Sequence, residues 1–212
     1  MTQNKVRTAK ICKILKRTYS DVKTQLHYRN PFELLVATIL SAQCTDKQVN
    51  NVTQVLFNKL KTPDDFAGAR LETIEKLIRP TGYFRNKAKN IQNCAIMLVD
   101  EFSGKVPETL DDLVKLPGVG RKTANVVRGA AFGTPGIVVD THVGRISKRL
   151  GLTANKDPVK IEFDLMEIIP QKEWSDFSLR LIFFGRAVCK ARKPVCSACP
   201  LYKLCDYPGK EN

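Results

Sequence analysis

Long apolar runs are missing from this chain. No stretch of its 212 residues approaches the roughly 20 apolar residues needed to span a bilayer, and the N-terminus lacks the apolar core of a signal peptide. Internal repeats and low-complexity linkers are absent as well. We therefore expect a cytoplasmic protein that has no membrane partner.

Strand-like patterns are also scarce. One short run, from Ile137 to Val139, could form a strand, but it is too short to build a sheet and is expected to lead into a helix. Apolar residues mostly recur at helical spacing, as in Leu71, Ile74, Leu77 and Ile78. Because proline and glycine interrupt these patterns at intervals of about one helix, the sequence predicts an all-α fold.

Acidic residues are few where basic residues concentrate. The chain has 35 Lys and Arg against 21 Asp and Glu, which gives a formal net charge of +14. Residues 1–20 hold six basic residues and no acid, and residues 180–210 hold seven basic residues against Asp206 alone. This distribution indicates a polyanionic partner, although a basic surface can also serve solubility alone.

Disulfides are not expected from the seven cysteines. Seven is an odd number, and a reducing compartment keeps thiols from pairing. Four of them follow the spacing C-x6-C-x2-C-x5-C, namely Cys189, Cys196, Cys199 and Cys205. Four thiolates in such a set can hold zinc or a 4Fe-4S cluster, and the spacing alone does not choose between them. The other three are scattered on helical segments and are predicted to be core residues: Cys12, Cys44 and Cys94.

The segment that begins at Thr109 carries the most informative local pattern. Thr109 can cap a short helix that Pro117 stops, and a second helix is predicted to begin at about Arg121. Between the two helices, Gly118 and Gly120 flank a tight turn in which the backbone can adopt positive φ. Such a turn offers N-H donors and a helix dipole to a phosphate, while an ordinary helix corner is the alternative.

Several motifs together resemble the endonuclease III family of DNA glycosylases. The residues from Leu116 to Thr123, followed by Val139 to His142, look like the family's helix-hairpin-helix motif and aspartate loop. Leu40 to Asp46 is similar to the segment after the family's early helix, and Gly82 to Ala88 is similar to its lesion-probing loop. The cysteine spacing matches the family's cluster pattern as well, so the resemblance covers nearly the whole chain.

This resemblance implies a two-lobed helix-hairpin-helix glycosylase fold. Residues 24–133 would form a six-helix lobe, with the helix-hairpin-helix motif at about 109–132. Residues 1–23 and 134–212 would form a lobe around a structural 4Fe-4S cluster held by the four cysteines. The active site is expected in the cleft between the lobes.

The implied function is base-excision repair by a DNA N-glycosylase with AP lyase activity, acting on oxidised pyrimidines in duplex DNA. By resemblance, the Lys122 amine attacks C1′ and forms a Schiff base, which permits β-elimination of the 3′ phosphate. Positive charge on Arg121 would help to keep that amine partly uncharged. Without the family, Lys122 would be interpreted as a solvated helix lysine.

The resemblance also implies a role for Asp140. Its carboxylate would stabilise the cation that develops at C1′, or would only cap the following helix.

The resemblance also assigns contacts to DNA. Gln43 would fill the space that an extruded nucleotide leaves, and Tyr83 would wedge the opposite strand, although Tyr83 could also be a packed loop residue. The hairpin would bind the phosphate backbone through Gly118, Val119, Gly120 and Arg121. A phosphate clamp is predicted between the first two cysteine ligands, at Lys190, Arg192 and Lys193.

Two departures from the family pattern leave the lesion spectrum open. Phe184 stands where many relatives carry histidine, and Gly144 stands where an aromatic residue is common. The expected partner is double-stranded DNA with damaged bases or abasic sites, bound by a monomer that is nucleoid-associated if the source is bacterial.

Two alternatives stay open at this point. The first is a monofunctional mismatch glycosylase of the same superfamily. Lys122 argues against it, and the chain is expected to be too short for the extra domain of the adenine type. The second is a non-catalytic, zinc-stabilised DNA-binding protein.

Overall fold

Every regular element in the described range is helical. The computed structural model describes residues 3–210, with side chains from residue 5, and no strand is present in that range. The α-helices are α1 (Gln3–Thr18), α2 (Pro31–Leu40), α3 (Asp46–Lys59), α4 (Pro63–Gly68), α5 (Leu71–Ile78), α6 (Phe84–Phe102), α7 (Leu110–Leu113), α8 (Arg121–Ala131), α9 (Thr141–Arg149), α10 (Pro158–Ile168) and α11 (Trp174–Ala187). Short 3-10 turns occur at Arg79–Thr81, Gln171–Glu173, Tyr202–Leu204 and Pro208–Lys210. The predicted all-α fold is confirmed.

None of these helices has the length and apolarity of a membrane span, as far as the described residues go. The strand-like run from Ile137 to Val139 forms no regular element and leads into α9, as expected from its shortness.

Internal contacts divide the chain into two compact units. The hairpin unit runs from Thr24 to Thr134 and carries α2 to α8. The cysteine unit consists of the chain up to Lys23 and from Pro135 onward, and it carries α1 and α9 to α11. Four residues that the sequence assigns to the cluster lobe lie outside the described range: Met1, Thr2, Glu211 and Asn212.

The hairpin unit is built around α2, whose residues from Phe32 to Leu40 are all buried. A helix that is apolar on nearly all sides is typically found at the centre of a helical unit, because it has almost no polar face that must be solvated. Six helices of at least six residues and the single-turn α7 make up this unit. Asn30 and Thr62 cap α2 and α4 with their side chains, and each is followed by proline at the start of the helix.

The core of the cysteine unit comes from four helices. α1 contributes Ile11 and Leu15, and α9 contributes Val143 and Ile146. α10 and α11 complete this core with Ile161, Leu165, Phe177, Leu181 and Phe184. Phe184, one of the departures from the family pattern, is 1% exposed and therefore belongs to the core packing of α11.

The three scattered cysteines differ from one another. Cys94 is buried in α6, as predicted, and burial raises the pKa of its thiol to about 12. Cys12 lies in α1 and is half-buried, and burial raises the pKa of its thiol to about 11. Cys44 is half-buried and packs against the core of the hairpin unit, but its predicted helical position was wrong, because it lies in the turn that follows the end of α2 at Leu40.

Candidate active site and cluster site

The hairpin between α7 and α8 is fixed by local hydrogen bonds and by apolar anchors. Thr109 caps α7 as predicted, because its hydroxyl accepts a hydrogen bond from the amide of Asp112 at 3.1 Å. The amide of Val119 donates to the carbonyl of Leu116 at 3.0 Å, which closes the turn. Leu116 and Val119 are buried in the core, so the backbone between them is held in place.

Gly118 is the hairpin position that requires glycine. Its φ is +79°, and a Cβ built there would lie 2.8 Å from the Cβ of Asn90 on α6. Gly120 differs from the expectation that both glycines use positive φ. Its backbone is extended at φ −88° and ψ 171°, and a Cβ there would meet no atom within 4 Å. One glycine is thus demanded by backbone conformation and close packing, and the other is not.

Lys122 lies in the first turn of α8, where an exposed side chain meets the positive end of a helix dipole. The helix begins at Arg121, as predicted, after the N-cap residue Gly120. No side chain caps this end, and the first turn holds no acidic residue. Lys122 itself is exposed. The arrangement presents an amine beside backbone donors that favour an anion such as a phosphate.

Asp140 is the N-cap of α9, and both of its carboxylate oxygens are engaged. Oδ1 accepts hydrogen bonds from the amides of His142 and Val143, both at 2.8 Å. Oδ2 lies 3.0 Å from Nδ1 of His142. The capping role considered from the sequence is confirmed. The carboxylate is 13% exposed and is held in one orientation by these three contacts.

Gln43 and Tyr83 lie in turns with unusual backbone geometry. Four non-glycine residues in the described range have positive φ, namely Gln43, Tyr83, Ser103 and Lys193. Three of these four are among the residues that the sequence selects as DNA contacts. Strained backbone of this kind is often retained where a side chain must be presented in a set direction. Tyr83 is 66% exposed, so the alternative of a packed loop residue is wrong.

The four clustered cysteines line one small cavity in the cysteine unit, together with apolar residues that include Phe184 and Val188. Burial raises the pKa of the Cys199 and Cys205 thiols above their ordinary value. Iron takes such thiols as thiolates, and four sulfur donors around one apolar cavity fit a 4Fe-4S cluster. Cys189, Cys196, Cys199 and Cys205 would hold the cluster, which would link this segment of the chain to itself.

An arginine contacts Cys189, the first cysteine of the predicted ligand set, and the backbone that follows it. Arg149, the last residue of α9, donates from Nη1 to Sγ of Cys189 at 3.3 Å and to the carbonyl of Lys190 at 2.8 Å. Its Nη2 donates to the carbonyl of Ala191 at 3.1 Å, and its guanidinium lies 4.2 Å from the ring centroid of Tyr207. A guanidinium can make these contacts at once because its donors point in fixed directions.

The predicted phosphate clamp lies on the loop that Arg149 holds. Lys190, Arg192 and Lys193 are all exposed, and Lys193 has a φ of +49°. One turn earlier in α9, Arg145 donates from Nη2 to the carbonyl of Cys189 at 2.9 Å. The loop backbone is therefore tied to α9 by two arginines, while its own three cations remain open to solvent.

Comparison with known proteins decides the family. The sequence model of the HhH-GPD superfamily base excision DNA repair protein matches residues 36–171, and that of the iron-sulfur binding domain of endonuclease III matches residues 189–205. An endonuclease III from Synechocystis sp. is 52% identical over 97% of this chain and 94% of its own length. The chain belongs to the endonuclease III family.

Solved members of the endonuclease III family agree with this assignment. A non-covalent endonuclease III-DNA complex matches with a TM-score of 0.91 at 51% identity, covering 95% of this chain and 94% of that one. A trapped endonuclease III-DNA covalent intermediate also matches with a TM-score of 0.91 at 51% identity, covering 95% of both chains. The predicted glycosylase fold is confirmed.

Membership of the endonuclease III family also confirms the predicted enzyme class and cofactor. The chain is a base-excision repair enzyme, a DNA glycosylase and AP lyase, and it carries a 4Fe-4S cluster in its iron-sulfur binding domain. The zinc alternative is thereby set aside. The roles of individual residues stay predictions.

Sequence reasoning missed the side chains that support these sites. His142 belongs to the aspartate motif, but the sequence assigns it no role, although its ring contacts the Asp140 carboxylate. Arg145 and Arg149 were not singled out. Their spacing of four residues on a helix places them on one face, which was the available signal.

Proposed function

We propose that Lys122 is the nucleophile and Asp140 its partner in a reaction that removes oxidised pyrimidines from duplex DNA. The observation that carries the proposal is the position of Lys122, an exposed amine in the first turn of α8, directly after the hairpin. A lysine at this position comes directly after the backbone N-H groups that would bind a phosphate. Its amine would therefore lie near the sugar attached to that phosphate. The trapped covalent intermediate of a protein 51% identical to this chain supports a covalent route.

The chemistry follows from a primary amine acting at an electron-poor carbon. The Lys122 amine attacks C1′ as the damaged base leaves with its bonding electrons, and opening of the sugar ring gives the protonated Schiff base. The iminium withdraws electrons and makes the C2′ proton acidic, so a proton acceptor can remove it. The 3′ phosphate then leaves by β-elimination, and the strand is cut 3′ to the abasic site.

Asp140 is proposed to stabilise the cationic sugar and to move protons to and from the Lys122 amine. A carboxylate whose position is set by three hydrogen bonds supplies negative charge without reorganisation during the reaction. Its capping role and its catalytic role are compatible, because the same contacts that cap α9 fix the orientation of the carboxylate.

DNA binding is proposed to use three groups of residues. Gly118, Val119, Gly120 and Arg121 would bind phosphate through the hairpin and the start of α8. Gln43 and Tyr83 would enter the duplex, Gln43 filling the vacated space and Tyr83 wedging the opposite strand. Lys190, Arg192 and Lys193 would clamp another phosphate. We also predict that the protein binds duplex DNA with damaged bases or abasic sites as a monomer. It would act in the cytoplasm, and at the nucleoid if the source is bacterial.

Borohydride trapping on duplex DNA with an abasic site tests the proposed nucleophile. Only a Schiff base is reduced to a stable crosslink, so we expect wild-type protein to be trapped and peptide mapping to place the bond at Lys122. Lys122→Ala should bind the same duplex but give no crosslink. Lys156→Ala, which removes an exposed lysine of the cysteine unit, is the matched control and should be trapped normally. Trapping through another residue would overturn the assignment.

The same assay separates this function from that of a monofunctional mismatch glycosylase. The proposed enzyme should release an oxidised pyrimidine and be trapped in the same reaction. A monofunctional mismatch glycosylase would instead release the base without any trapped product.

A further inference from the structure

A buried lysine connects the two turns that carry Gln43 and Tyr83. Lys87 lies one turn into α6 and is only 5% exposed. Its Nζ donates one hydrogen bond to the carbonyl of Leu40 at 2.9 Å and another to the carbonyl of Thr81, also at 2.9 Å. A single ammonium thus contacts two segments of backbone that precede it in the chain, one by 47 residues and the other by six.

Both carbonyls lie at the C-terminal ends of helical segments. Leu40 is the last residue of α2, and Thr81 is the last residue of a 3-10 turn. Carbonyls at such ends lack partners within their own helix and carry partial negative charge, so a cation is a favourable partner for them. Burial lowers the pKa of Lys87, an effect that the nearby Cys44 partly offsets. The ammonium stabilises both ends through charge as well as through hydrogen bonds.

The two anchored carbonyls lie directly before the two strained turns. Gln43 follows Leu40 by three residues and has a φ of +53°, while Tyr83 follows Thr81 by two residues and has a φ of +48°. Both side chains are exposed. Because a strained turn persists only where its surroundings hold it, an anchor before each turn limits the directions that Gln43 and Tyr83 can take.

We infer that Lys87 is a positioning residue that sets the spacing of Gln43 and Tyr83 for entry into duplex DNA. The inference rests on the proposed function for the roles of those two side chains. An anchored pair would enter the base stack without first being ordered, and this preorganisation lowers the cost of binding distorted DNA. Lys87 contacts neither substrate nor the reacting atoms in this scheme, since it acts through the two turns.

The test compares duplex with single-stranded DNA, each carrying one abasic site. A single strand has no opposite strand to wedge and no stack to fill, so its cleavage reports the chemistry without the two turns. For Lys87→Met we expect single-turnover cleavage of the duplex to fall by about tenfold, while cleavage of the single strand is unchanged. Lys89→Met, an exposed lysine on the same helix, is the matched control and should cleave both substrates normally.

A double-mutant cycle separates positioning from a general loss of structure. If Lys87 acts through Gln43 and Tyr83, the loss from Lys87→Met on the duplex should largely disappear in the background of Gln43→Ala with Tyr83→Ala. Full additivity, or an equal loss on duplex and single strand, would overturn the inference. Visible absorption of the cluster and thermal unfolding verify that each variant is folded.

Lys87→Gln is the second variant, used if Lys87→Met does not fold. Its shorter amide retains a donor, so we expect a loss on duplex DNA smaller than that of Lys87→Met, again with no loss on the single strand. A wild-type-like rate for Lys87→Gln on the duplex would count against the inference. Failure of the proposed function has a different signature, because the borohydride crosslink of wild-type protein would then be absent or would map to a residue other than Lys122.

Discussion

The carboxylate of Asp140 holds the ring of His142 while it caps α9. Oδ2 lies 3.0 Å from Nδ1 of His142. Oδ1 accepts hydrogen bonds from the backbone amides of His142 and Val143, both at 2.8 Å. The capping role of Asp140 and its proposed catalytic role predict two effects that substitution can separate.

Asp140→Asn should retain the cap and lose the negative charge. Asparagine caps helices about as well as aspartate, so we expect the free energy of unfolding to change by less than about 1 kcal/mol. Activity should fall by about 100-fold or more, because a neutral amide cannot stabilise a cationic sugar. Single-turnover kinetics and thermal unfolding measure the two effects.

The matched control for Asp140 is Asp157, the N-cap of α10, whose Oδ1 accepts the amide of Lys160 at 2.9 Å. Asp157→Ala should lower the free energy of unfolding by about 1 kcal/mol and leave activity unchanged. Full activity in Asp140→Asn would remove the catalytic role and leave Asp140 as a cap alone.

Gly118→Ala should destabilise the hairpin unit, whereas Gly120→Ala should not. At Gly118 the substitution combines a φ of +79° with a Cβ at 2.8 Å from Asn90, so we expect a loss of about 1–3 kcal/mol in the free energy of unfolding. Gly120 has extended backbone and open space, so its alanine variant should unfold like wild type. Chemical denaturation of both variants is the measurement, and equal stability would contradict the hairpin geometry.

Replacing Lys190, Arg192 and Lys193 by glutamine should flatten the salt dependence of DNA binding. Each phosphate contact that is lost lowers the slope of log K against log salt by about 0.9, because fewer counterions are released. The measurement is the dissociation constant for one duplex at several salt concentrations. A triple variant of Lys156, Lys160 and Lys172, which are exposed on the same unit, is the control. If both triple variants have the same slope, the loop lies outside the interface.

Arg149→Gln should weaken retention of the cluster. The substitution removes the hydrogen bond to Sγ of Cys189 and the contacts to the carbonyls of Lys190 and Ala191. Loss of a group that orients a metal ligand commonly costs 10–100-fold in metal affinity, so cluster loss under a chelator should be at least about tenfold faster. The decay of visible absorption follows the loss. Lys148→Gln, an exposed neighbour on α9, should decay like wild type, and a wild-type rate for Arg149→Gln would mean that the cysteines alone retain the cluster.

Local features were predictable from the sequence. Thr109 and Asp140 are the N-caps of α7 and α9, and α8 begins at Arg121. These features depend on hydrogen bonds between residues two to four positions apart, so a short stretch of sequence contains all the partners. The cysteine set was recognisable for the same reason, because its spacing lies within one segment.

Glycine in the hairpin marks the limit of that reasoning. The sequence shows two glycines in equivalent-looking positions, yet Gly118 alone packs against Asn90, a residue of another helix. Whether a glycine is required there depends on a neighbour that no local pattern specifies.

By itself the amino-acid order determined that the chain is helical, that Thr109 and Asp140 cap their helices, and which four cysteines form the predicted ligand set. Tertiary structure alone decided that the Lys87 ammonium turns inward to Leu40, and that Arg149 reaches Cys189 across 40 residues of sequence. The physical reason is the distance along the sequence between interacting residues. A helix and its caps depend on partners within a few residues, whereas the partner of a long cationic side chain depends on which distant backbone the packed core brings within about 3 Å.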